Sequence, residues 1–154
     1  MDVTQIARPM QPFVYDKAKY HDDTINELGL PEEHAANHTA FFLRWLIEHS
    51  LMSNFFETEG ADVVKAFRNG QASIHDVYDW WDRCLIDEML SDEGNAFAQS
   101  YFDFERGEYM KDYARVLQRD LPSEFHVPFT EANYQAIRGV IDVRYAAWTQ
   151  SSRP

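Results

Sequence analysis

The stretch Pro31–Leu51, PEEHAANHTAFFLRWLIEHSL, constrains the fold of this chain more than any other. Pro31 suits a first helical turn, where its missing N–H is no loss, and Glu32 and Glu33 set negative charge at the positive end of the helix dipole. At 100° per residue, Glu33, Asn37, Arg44 and Glu48 share one narrow polar stripe, while Phe41, Phe42, Trp45 and Leu46 point the other way. Leu43 and Ile47 widen the apolar side. A helix so poor in polar surface must be contacted on several sides. Residues 31–50 are therefore predicted to form the central helix of one domain.

The same stretch carries the sharpest chemical signal. His34, His38 and His49 fall within about 60° of one another on the helical wheel, beside Trp45. His34 and His38 have the i, i+4 spacing with which two imidazoles meet one zinc ion in HExxH helices, but Ala35 stands where that motif has its general base. Core histidines bonded to Tyr15, Asp16 or Asp22 are the favoured reading. The alternative is a metal-dependent enzyme or metal-binding protein using His34 and His38 with His21, or with Asp16 or Asp22 from the preceding segment.

Along the rest of the chain the period is helical and the punctuation is clear. Residues 1–12 hold two prolines and read as a flexible arm. The aromatics of FVYDKAKYH, Phe13 and the tyrosines, are expected to pack back onto the central helix. Ser53 and Asn54 can cap a short helix closed by Gly60, and Gly70 is a left-handed cap for ADVVKAFR. Ser73 with Asp76 is a capping-box pattern before IHDVYDWWDRCL, whose Ile74, Val77, Trp80, Trp81 and Cys84 share one broad face, with His75, Asp79 and Asp82 toward solvent. Ser91 opens a further helix, RGEYMKDYARVLQ another, and Thr130 caps the last, with Tyr134, Ile137, Ile141, Tyr145 and Trp148 inward. The expectation is an all-α fold: a single helical domain of about six helices over residues 13–150, with 151–154 frayed. A minor strand pair is allowed around residues 83–90 or 123–129, where short apolar runs are ambiguous.

A chain of 154 residues is about one domain, and one cysteine, Cys84, cannot form an internal disulfide. The first twenty residues lack a signal-peptide core, and no stretch is apolar for long enough to span a bilayer, so a cytoplasmic location is expected. The formal net charge is −12. Such a surface repels nucleic-acid phosphates and membranes and favours basic partners. No phosphate-binding glycine loop or nucleophile elbow is present, and a thiol on an apolar helix face is inert, so neither an enzyme nor a cofactor is expected. Seven acids, Asp76, Asp79, Asp82, Asp87, Glu88, Asp92 and Glu93, lie in one segment around Trp80, with Arg83 as the single base. An aromatic anchor with a negative rim suits a protein-binding surface.

The segments YDKAKYH, HTAFFLRWLIEHSL, LSDEGNAFAQSYF, YMKDY and IDVRYAAW are similar to a family of small, acidic bacterial proteins. Members often lie beside polymorphic or contact-dependent toxins. The resemblance implies, by association, an immunity protein that binds and neutralises a cognate toxin, for instance a nuclease with a basic cleft. It carries over no site residues. A homo-oligomer in which exposed aromatics bury one another is a further possibility.

Overall fold

The computed structural model describes residues 13–152, and the expected arm at 1–12 lies outside them, as do residues 153–154 of the expected frayed end. In chain order the elements are β1 (Val14–Lys17), a 3-10 turn (Ala18–His21), α1 (Asp22–Leu28), a 3-10 turn (Glu32–Ala35), α2 (Asn37–Glu48), α3 (Asn54–Glu59), α4 (Ala61–Arg68) and α5 (Ile74–Trp80). They continue with β2 (Cys84–Ile86), a 3-10 turn (Asp87–Met89), α6 (Asp92–Tyr101), α7 (Tyr109–Tyr113), a π turn (Ala114–Gln118), a 3-10 turn (Glu124–His126) and α8 (Glu131–Ser152). The eight helices and one antiparallel strand pair make an all-α domain with a minor sheet. The pair falls at residues 84–86, inside the first of the two ambiguous segments, with residues 14–17 as its partner.

α2 is the centre of the core. Ten of its twelve residues are buried, leaving only Arg44 and Glu48 toward the outside. Phe42 stacks on Phe102 at 4.6 Å and Phe41 on Phe129 at 4.3 Å, so the helix is enclosed by rings from several elements. The helix is shorter than expected at its start. Pro31 precedes a separate 3-10 turn, and α2 begins only at Asn37, whose side chain donates to the Val127 carbonyl at 3.1 Å. That bond ties the helix start to the late connector, a long-range contact that no local periodicity reports.

The cap residues act as their sequence suggests. Ser53 and Ser91 accept from Phe56 and Gly94 backbone N–H groups, Ser73 and Asp76 form the reciprocal capping box, and Thr130 accepts from Asn133. Gly70 takes a φ of +77° at the end of α4. α8 buries Tyr134, Ile137 and Ile141 and holds α2 by polar ties: Arg44 grips Glu131 at 2.9 and 3.2 Å, and the Trp45 indole donates to Asp142 at 2.8 Å. The helix runs on through Ser152, past the expected onset of fraying at 151.

Three expectations fail for identifiable reasons. The helix opening at Ile74 stops at Trp80 because Asp82 and Arg83 take left-handed φ of +59° and +56° and turn the chain into β2. Trp80 is thereby 49% exposed rather than part of the core face, and Cys84 becomes a strand residue, half-buried. His75 is half-buried, held by the Asn37 side chain at 2.8 Å, rather than turned to solvent. Of the lead-in aromatics, Tyr15 is buried, but Phe13 and Tyr20 are 50% and 62% exposed.

Candidate functional site

β1 pairs Val14 with Ile86 and Asp16 with Leu85, so Tyr15 is an extra residue with no partner across the ladder. A regular strand sends successive side chains to opposite faces; the inserted residue lets Tyr15 and Asp16 both be buried. The Tyr15 hydroxyl donates to Asn95 Oδ1 on α6 at 2.6 Å. Asp16, 2% exposed, lies at the start of α2. Its Oδ1 is 2.9 Å from His21 Nε2, its Oδ2 is 3.1 Å from His38 Nε2, and Oδ2 also accepts the Thr39 hydroxyl at 2.6 Å. β1 supplies the carboxylate, the 3-10 turn after it supplies His21, and the first turn of α2 supplies His38 and Thr39. A helix start is also where a buried negative charge is best tolerated.

Burial alone would raise the Asp16 carboxyl, but the hydrogen bonds from His21, His38 and Thr39 outweigh it and hold the group well below the usual carboxylate range. The cluster is not fully satisfied. His38 is 3% exposed, and its Nδ1 finds no hydrogen-bond partner within the described residues; the same holds for the buried hydroxyl of Tyr78, whose phenol is raised by burial and by the Asp16 carboxylate. Both imidazoles line a cavity of about 300 Å³ walled by Phe104, Phe125, Met110 and Gln118. Gln118 comes from the π turn after α7, a local widening of the helix that recurs at functional sites.

The predicted His34/His38 pair is separated. His34 lies in the 3-10 turn and its Nδ1–H donates to the Phe125 carbonyl at 2.6 Å, while His38 turns to Asp16. Asp22 is also drawn elsewhere, into a two-pronged pair with Arg83 at 2.8 and 3.1 Å. His49 stacks on Trp45 at 4.0 Å and meets Asp142. Asp16, His21 and His38 are the one group of three whose donor atoms lie within 4.8 Å of one another among the described residues. The favoured bonding of a core histidine to Asp16 is thus present, and of the alternative's ligand set only His38, His21 and Asp16 come together, without His34.

The acidic segment does not form one patch. Asp76 and Asp79 line a crevice of about 360 Å³ with Glu32 and Glu33, and Arg83 is the base beside them. Asp82 lies on the other side of α5, in an open groove of about 440 Å³ bordered by Trp80, Trp81, Phe55, Glu59 and Lys17. Asp87 accepts the Phe13 N–H at 3.1 Å, Glu93 is engaged by Tyr145 of α8, and Glu88 and Asp92 are exposed. Trp80 meets Trp81 edge-on at 4.9 Å, and Trp81 stacks on Phe56 at 5.2 Å, so the exposed ring rests on a fixed one. Glu32 and Glu33 join Asp76 and Asp79 in the crevice, and Phe55 borders the groove beside Trp80; all three come from elements distant from α5 in the chain, so no local pattern places them there.

The model of the family "Domain of unknown function (DUF7832)" matches residues 14–127, roughly three quarters of the chain. The chain belongs to the DUF7832 family. The matched span opens on β1 and closes at Val127, the residue that receives the Asn37 side chain. It contains the Asp16 cluster and both faces of α5, and leaves α8 outside. No curated protein and no solved structure matched the chain.

Proposed function

We propose that this protein is a binding module that captures a basic partner protein, and specifically a cytoplasmic immunity protein that neutralises a cognate toxin without chemistry of its own. The observation that carries the reading is the end of α5, where Trp80 (49% exposed) and Phe55 (44% exposed) flank a groove on one side of the helix while four carboxylates line the crevice on the other. A large ring held by a second ring can enter a partner's pocket with little loss of rotamer freedom, which is the character of an interface hot spot. Carboxylates beside it attract lysine and arginine and accelerate encounter. The net charge of −12 extends that attraction beyond the contact. A toxin that must hold phosphate presents a basic cleft, and this face complements it.

The test is co-expression with the product of the adjacent reading frame. Stable co-purification and loss of toxicity, both weakened by Trp80→Ala, are the expected results. A chain that neither binds nor protects removes the reading.

A second reading rests on the Asp16–His21–His38 cluster beside its cavity and needs no partner protein.

A further inference from the structure

We propose that Asp16, His21 and His38 form a binding site for one divalent transition-metal ion, with zinc the ion that this donor set fits best. Two imidazoles approach the two oxygens of one carboxylate at 2.9 and 3.1 Å, and all three donors lie within 4.8 Å of one another. Two ligands that each sit about 2.1 Å from a tetrahedral zinc are about 3.4 Å apart. The two nitrogen–oxygen separations are therefore within about half an ångström of ligand spacing. The 4.8 Å bound on the set leaves no more than about 1.4 Å for the imidazoles to close on one ion, with protons now holding together groups that an ion would hold. Two histidines and a carboxylate are a zinc and iron(II) donor set; the absence of a thiolate ligand disfavours copper(I).

The bland explanation is that the three residues are a structural tie. A polar group kept in a core for structure is expected to have its hydrogen bonds met, because each buried unmet group costs stability. His38 does not satisfy this. With Nε2–H given to Asp16, its Nδ1 is a buried acceptor with no donor. If Nε2 instead binds an ion, Nδ1 carries the proton and is a buried donor with no acceptor, so metal binding adds no new unmet group there. Replacing the proton by a dication, by contrast, gives the buried Asp16 carboxylate a far stronger partner. Thr39 remains on Asp16 Oδ2 in either state and orients it.

Three protein donors are one short of a closed four-ligand site. The cavity lined by His21 and His38 is where a water or a small ligand would complete the coordination, against walls of Phe104 and Phe125. This is independent of capture of a basic protein through α5, and the two can fail separately.

The experiment titrates zinc into the chelator-treated full chain by calorimetry, with Co²⁺ absorption as a second probe. The expected result is one equivalent bound, a rise in Tm on saturation, and visible Co²⁺ d–d bands. His21→Ala, at the half-exposed end of the cluster, should keep the fold and weaken binding roughly tenfold or more. Asp16→Asn should do the same where it folds. His34→Ala should leave binding unchanged. No binding by the wild-type chain, or one equivalent still bound with unchanged affinity in His21→Ala, overturns the site; loss of binding in His34→Ala alone overturns this ligand assignment.

Discussion

The Asp16 cluster hangs from the buried part of β1, the groove of the Trp80 face runs along Val14, Lys17, Cys84 and Ile86 of the same strand pair, and the two are incomplete in opposite senses. In the cluster, polar atoms are sealed away from water and one of them, His38 Nδ1, lacks a partner. On the face, apolar rings are left in water although the core nearby is closely filled, with Phe56 and Val77 at 0% exposure. Each departs from what folding alone favours, and each needs a different kind of complement. Two imidazoles gathered on one buried carboxylate beside a cavity suit an ion, whereas an exposed ring with carboxylates around it suits a protein.

Mutation should separate the two sharply. Asp16→Ala leaves two imidazoles and a hydroxyl without their acceptor, and should cost about 3–5 kcal/mol of folding stability in urea denaturation. A cost below about 1 kcal/mol would mean that the cluster is not a working part of the core. Trp80→Ala should change stability by less than about 1 kcal/mol, yet cost about 2 kcal/mol of partner affinity, roughly thirtyfold in Kd, by surface plasmon resonance. Equal losses in folding and binding would erase the distinction.

Charge changes on the α5 face should act on rate rather than on lifetime. Glu59→Lys with Asp79→Lys and Asp82→Asn, the last keeping a residue tolerant of the +59° φ, should slow association about tenfold and flatten its salt dependence. A change confined to dissociation would place these acids inside the contact instead of around it.

The smallest effect concerns His75, which lines the acidic crevice and meets Asn37 at the start of α2. Burial holds its pKa below the usual histidine value, against the opposing pull of Glu33, Asp79 and Asp76. The unfolded chain takes up a proton near pH 6.5 while the folded chain resists it, so the stabilising contribution is present above that pH and is lost as pH falls through the folded value. Wild type should lose stability between about pH 7.5 and about pH 5.5, and His75→Gln should lose less of it. Parallel profiles would show that the burial of this imidazole has no energetic consequence.

What could be read from sequence was what is decided within a turn or two of the chain. Ser53, Ser73, Ser91 and Thr130 cap where their spacing says, and the apolar faces of α2 and α8 are those their periodicity gives. The errors arise where contacts distant in sequence decide. His34 and His38 keep helical spacing on paper, but the Phe125 carbonyl and Asp16 pull them to different partners. Trp80 reads as core until Asp82 and Arg83 turn the chain away from the helix. The acids of residues 76–93 are neighbours in sequence, and the fold distributes them among a crevice, a groove and two hydrogen-bonded posts, bringing Glu32 and Glu33 in their place.

The unpaired Tyr15 has a consequence for how this chain tolerates changes in length. Because Asp16 and Lys17 pair with Leu85 and Cys84 without it, excising residue 15 would leave their register intact while removing the anchor on Asn95 and a buried ring packed on Phe13 and Phe102. Excising residue 16 would instead bring Lys17 toward the two imidazoles. A change in length at residue 15 would thus be felt in the packing of the core and not in the register that places Asp16.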